Sequence, residues 1–113
     1  MFNLFKNNPA TSYTNVSAAE FKQLQEDKNA LVLDVRTAGE VAGGKIKEAR
    51  NIDMLSGSFD KQLQELDKSK TYLLYCRNGN RSAQAASKMA SMGFDKVYNL
   101  KGGIASWPYE QTR

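Results

Sequence analysis

Two short runs stand out in the pattern of apolar and polar positions. Residues 30–35 read ALVLDV and residues 71–76 read TYLLYC. Each is apolar at nearly every position, which predicts strands covered on both faces, as in a parallel sheet. Residues 96–100 (KVYNL) and 49–52 (ARNI) are weaker strand candidates. Helical spacing lies between them. Ser17 with Glu20 forms a capping box, Val16 is placed as a hydrophobic staple, and Phe21 and Leu24 supply an apolar face, so a helix is predicted over 18–26. Thr37 and Glu40 form a second box opening a brief turn that ends at Gly43 and Gly44. Phe59, Leu63 and Leu66 share one face over 58–67. Ala85 or Ala86, Met89 and Met92 do so over 82–93, with Gly93 as the stop. Residues 102–107 can form one more turn before Pro108. Residues 1–15, polar and turn-prone, read as an irregular lead-in to a single domain over 16–113. Strands alternating with helices predict an α/β layered fold: a mostly parallel central sheet of about five strands, flanked by helices on both faces, with right-handed crossovers.

Composition narrows the chemistry. With 113 residues, 41% hydrophobic and 25% charged, the chain can bury a core without staples. One cysteine and no histidine exclude an internal disulfide, a Cys–His or Ser–His pair and an imidazole zinc site. No metal and no cofactor are expected. The net charge of +4 is spread along the chain, without a run that reads as a nucleic-acid arm. It suits a small anionic substrate better than nucleic acid. No stretch approaches the ~20 apolar residues of a membrane span, and the first ten residues are too polar for a signal peptide. A soluble monomer in the cytoplasm is expected; a periplasmic location would require a signal peptide ahead of Met1.

The lone thiol sits in YCRNGNRSAQ, residues 75–84. The order is strand, Cys76, loop, helix. A helix beginning near Ser82 directs its free N–H groups and positive dipole end at the loop. Gly79 accepts positive φ, and Asn78 and Asn80 tolerate it. A tight curl can therefore point several N–H groups inward as an anion nest, with Arg77 and Arg81 adding charge. Such a setting favours the thiolate without a histidine base. In a parallel sheet, sites form beyond the carboxyl ends of strands, so Asp34 and Arg36 at the end of one strand should lie near Cys76 at the end of another. They either brace the site or simply tie the sheet together. Trp107 and Tyr109 read as packing residues.

LDVR (33–36), Glu40, GKIKEARNI (44–52), YCRNGNRS (75–82), GF (93–94) and LKGGIASW (100–107) together resemble a single-domain rhodanese-like protein over roughly residues 16–107. The resemblance implies sulfurtransferase chemistry. Cys76 would take a sulfane sulfur from thiosulfate or a similar donor, become a persulfide, and pass the sulfur to a thiophile: cyanide, a thiol or an acceptor protein. The main-chain N–H groups of Arg77, Asn78, Gly79, Asn80, Arg81 and Ser82 would form the cradle. Arg77 would help hold thiosulfate, Arg81 and Ser82 would orient the loop and contact the sulfur anion, and Asp34 and Arg36 would brace it.

The chain departs from the family pattern at Gly44-Lys45-Ile46-Lys47-Glu48-Ala49, where many members have Gly-His-Ile-Pro-Gly-Ala; Lys45 replaces the histidine and the Pro-Gly turn is lost. Related phosphatases and arsenate reductases place five residues between Cys and Arg. Here there are four, Arg77 to Asn80, a ring suited to sulfur on sulfur rather than a tetrahedral phosphate. The alternatives are a partner-dependent sulfur carrier or binding module of the same fold, and then a phosphatase or arsenate reductase.

Overall fold

A computed structural model describes residues 12–113; the expected lead-in over residues 1–11 lies outside them. Strands β1 (Thr14–Val16), β2 (Ala30–Asp34), β4 (Arg50–Asn51), β5 (Thr71–Tyr75) and β6 (Lys96–Leu100) form one sheet in the order β1-β6-β5-β2-β4, every pair parallel. Helices α1 (Ala18–Leu24), α2 (Ala38–Ala42), α3 (Phe59–Gln64) and α4 (Asn80–Ser91) alternate with the strands. A small antiparallel pair joins β3 (Lys45–Ile46) to β7 (Gln111–Thr112).

The apolar runs do pack on both faces. Along β5 the side chains divide with period two. Tyr72 and Leu74, followed by Cys76, share a cluster with Phe59, Leu63, Leu66, Ala85, Ala86 and Met89 from α3, α4 and the residues after α3. Leu73 and Tyr75 join the opposite cluster with Phe21, Leu100, Ile104 and Trp107. All five residues of β5 are buried, as expected for a central strand lacking a solvated face. Phe21 meets Trp107 edge-on at 5.4 Å, so Trp107 is a packing residue.

Both capping boxes form. Glu20 N–H donates to Ser17 Oγ at 3.1 Å and Ser17 N–H donates to Glu20 Oε1 at 2.9 Å. Thr37 and Glu40 repeat the arrangement at the start of α2. Helix α4 begins at Asn80, two residues before the predicted start. The lead-in was expected to be irregular through residue 15, yet Thr14 and Asn15 belong to an edge strand held by β6. Their side chains are exposed, so no apolar pattern marks them. The Pro-Gly turn predicted to be lost keeps its backbone: Ala49 N–H closes on Ile46 O at 3.0 Å, and Glu48 takes φ +70°, the one positive φ of a non-glycine residue among those described.

Candidate active site at the end of the fifth strand

The register of β2 against β5 places Asp34 opposite Tyr75, so Val35 and Cys76 leave the sheet side by side into one core cluster, and Arg36 follows one residue later. Cys76 turns into the α3–α4 cluster and is completely buried. The loop then curls back over the sulfur. Gly79 N–H donates to Cys76 Sγ at 3.1 Å, and Ser82 donates twice, from its N–H and its hydroxyl, each at 3.4 Å. Gly79 makes the curl possible with φ +99°. A Cβ there would also lie 3.3 Å from Leu100 O, so a side chain is disfavoured by conformation and crowded against that carbonyl. Neither Asn78 nor Asn80 adopts positive φ. Asn78 instead uses its Oδ1 to accept Asn80 N–H at 3.1 Å, an Asx turn leading into α4. Asn99 on β6 supports the curl by donating to Gly79 O at 3.3 Å.

Burial opposes ionisation of the thiol. The hydrogen bonds from Ser82, Gly79 and Asn78 outweigh it, and the Cys76 pKa falls below its ordinary value. The first turn of a 12-residue helix points at the same atom, and its dipole acts in the same direction. The sulfur therefore sits in an anion cradle built mainly from main-chain and hydroxyl donors.

The three arginines have separate placements. Arg36 is buried and grips Asp34 through Nε at 3.0 and 3.1 Å and Nη2 at 2.7 Å, while Nη2 also donates to Gly44 O at 2.7 Å. Tyr75 O–H donates to Asp34 Oδ2 at 2.5 Å and accepts Ile46 N–H at 3.0 Å. The cluster thus binds the residue preceding Cys76 to the segment after α2. Removing one member of a buried charge pair leaves the other uncompensated, at about 3–5 kcal/mol. Arg81, predicted to orient the loop and contact the sulfur anion, is held by Glu40, with Nη1–Oε1 and Nη2–Oε2 both 2.9 Å, a pair that ties the loop's exit to α2. Arg77 is exposed. Together with Arg36, Glu40, Ile104 and Ala105 it lines an open cleft of about 450 Å³. Asn78, Gly79 and Asn80 line a separate cleft of about 260 Å³ with Asn15, Asn99 and Lys101.

A family model for the rhodanese-like domain matches residues 17–110. The chain belongs to this family. The rhodanese-like domain is 34% identical over 86 residues to a sulfurtransferase of Allochromatium vinosum, covering 76% of this chain and 78% of that one. It is 37% identical over 100 residues to a tRNA uridine(34) hydroxylase of Cytophaga hutchinsonii, covering 86% of this chain but only 32% of that longer protein. A rhodanese-related protein of Thermoplasma volcanium superposes with a TM-score of 0.78 at 30% identity, covering 88% of this chain and 98% of the other. No role was expected from the sequence for Tyr75, which bonds Asp34, or for Asn99, which supports the loop at Gly79. Glu40 was read as a helix cap and as part of the family pattern, and nothing local to it signals its pairing with Arg81.

Proposed function

We propose that this rhodanese-like domain is a sulfurtransferase that takes sulfane sulfur from thiosulfate or a similar donor and carries it as a persulfide on Cys76. The observation that carries this reading is the convergence of Gly79 N–H, Ser82 N–H and Ser82 O–H on the only sulfur able to act as nucleophile. In the first half-reaction the Cys76 thiolate attacks the outer sulfur of thiosulfate. The donor S–S bond breaks, sulfite leaves with the bonding pair, and Cys76 holds a terminal persulfide anion. In the second, a thiolate, cyanide or an acceptor protein's cysteine attacks that outer sulfur, and the Cys76 thiolate departs. The cradle stabilises negative charge on sulfur at both stages, as preorganised donors do where charge develops. Arg77, at the cleft, meets the incoming anion.

A partner-dependent sulfur carrier is the second reading. It is supported by the match to only 32% of a longer protein, a tRNA uridine(34) hydroxylase, so that the same sequence pattern also occurs joined to further chain. Intact mass after incubation with thiosulfate tests both. Gain of one sulfur atom in the wild type and none in Cys76→Ser supports the proposal. Efficient loading only from another protein's persulfide supports the carrier. Sulfur gain by a folded Cys76→Ser protein would overturn both.

A further inference from the structure

Two of the three arginines of this site spend their charge on carboxylates. Arg36 is bound by Asp34 in the interior. Arg81 is bound by Glu40 through two parallel hydrogen bonds, the fork-on-fork geometry of strong Arg–carboxylate pairs. Glu40 is itself held in position. Its Oε1 accepts Thr37 N–H at 3.1 Å and Thr37 O–H at 3.2 Å, so the carboxylate cannot easily swing away. The 450 Å³ cleft is lined by Glu40 but not by Arg81 or by the buried Cys76, and Arg81 lies near enough to Cys76 for their charges to interact. Arg77 forms no ion pair with a carboxylate among the described residues. The cleft also has an apolar side, Ile104 and Ala105, whose N–H groups donate to Cys76 O and Arg77 O, both at 2.9 Å. It therefore combines a single free cation, an ion-paired Glu40 and an apolar patch, in more room than a small inorganic dianion fills.

We infer that Glu40 is a specificity-determining residue: by occupying Arg81 it withholds a positive charge from the cleft, and so turns Cys76 toward organic persulfide donors, R–S–S⁻, over the dianion thiosulfate. This rests on the reading of Cys76 as a sulfur carrier. The corresponding loading step is balanced: the Cys76 thiolate attacks the terminal sulfur of R–S–S⁻, the R–S bond to that sulfur breaks, and the thiolate R–S⁻ leaves. A monoanionic donor needs one cation, which Arg77 supplies, and its organic body can rest on Ile104 and Ala105. Thiosulfate gains nothing from the apolar patch and, with Arg81 paired to Glu40, finds only Arg77 for its two charges.

Glu40→Gln tests this, because glutamine serves equally in a capping box while losing the charge that holds Arg81. Loading of Cys76 is followed by mass spectrometry with two donors, sodium thiosulfate and the persulfide of N-acetylcysteine methyl ester. The ratio of the thiosulfate rate constant to that of the organic persulfide should rise about tenfold in Glu40→Gln, as expected for one released charge-assisted contact weakened by solvent. Adding Arg81→Gln to that variant should return the ratio to the wild-type value or below. An unchanged ratio in folded Glu40→Gln, or a rise that survives the loss of Arg81, overturns the inference. A second readout does not involve sulfur transfer. The ratio of Cys76 alkylation rates by iodoacetate, an anion, and iodoacetamide, neutral, should rise in Glu40→Gln and fall back in the double variant. Wild type loaded by neither donor would sink the sulfur-carrier reading and donor selectivity with it. The alkylation ratio would still decide whether Glu40 masks Arg81, and no change in it overturns that.

Discussion

Gly103 lies against the peptide joining Arg77 to Asn78 so closely that a Cβ on it would stand 2.3 Å from Arg77 O and 2.7 Å from Asn78 N. Its φ of +64° is also one that side chains avoid. The turn after β6 is therefore a backbone wall against which the cysteine loop is pressed, and Ala105 N–H donating to Arg77 O at 2.9 Å closes the contact. Gly103→Ala must push the loop away. Since donors act only within about 3 Å of the charge they stabilise, sulfur transfer should fall by about two orders of magnitude or more, and stability by about 1–3 kcal/mol. Thermal unfolding and turnover in the same preparation check this; wild-type turnover in the variant would disprove the wall.

The Cys76 thiol should ionise below the ~8.5 of a free cysteine, because its hydrogen bonds outweigh the burial that opposes them. Alkylation rate against pH reads the midpoint. Ser82→Ala removes the hydroxyl donor and should move that midpoint upward with the fold retained. An unmoved midpoint would mean that the hydroxyl contributes nothing to the thiolate.

Arg77→Ala should weaken loading from thiosulfate more than discharge of the persulfide. The side chain lines the cleft, where it would meet the dianion on entry. A hydrogen bond to a charged group contributes roughly 1.5–3 kcal/mol, so kcat/KM should drop by about one to two orders of magnitude. Single-turnover measurement of each half-reaction separates the steps; equal slowing of both would remove Arg77 from donor binding.

Glu40 has its pKa pulled down to about 2, chiefly by its hydrogen bonds with Arg81, against partial burial that raises it. A carboxylate whose folded pKa lies below its unfolded value of about 4.3 adds stability that is fully present above that value and fades as pH falls through about 2. Wild type should therefore lose stability relative to Glu40→Gln between about pH 5 and pH 2. Urea midpoints of the two proteins across that range should converge or cross; parallel profiles would show that the pair is not coupled to folding.

Glu48 occupies φ +70° on an exposed turn, at the position where many family members have glycine. The left-handed region costs a residue with a Cβ about 1–2 kcal/mol, part of which glycine returns through its freer unfolded chain. Glu48→Gly should stabilise by about 0.5–1 kcal/mol, and Glu48→Val should destabilise, without altering sulfur transfer. Chemical denaturation measures both, and a destabilised Glu48→Gly would contradict the argument.

Local pattern alone determined the two central strands, the capped helix starts, and the order strand, cysteine, curl, helix that defines the loop. Those features follow from side-chain period, capping chemistry and glycine conformation, all of which act over a few residues. Other features required the folded chain. β1 is a strand only because β6 offers it an edge, and β3 needs the chain end of β7 to pair with. Arg81 and Glu40, and likewise Tyr75 and Asp34, lie 41 residues apart and meet because β2 and β5 align in one particular register. Even then, a sequence shows that an arginine follows the cysteine loop but not where its charge is spent. Whether Arg81 faces the sulfur or a carboxylate depends on where α2 comes to rest, which is set by Arg36 and Tyr75 gripping Gly44 and Ile46 behind it.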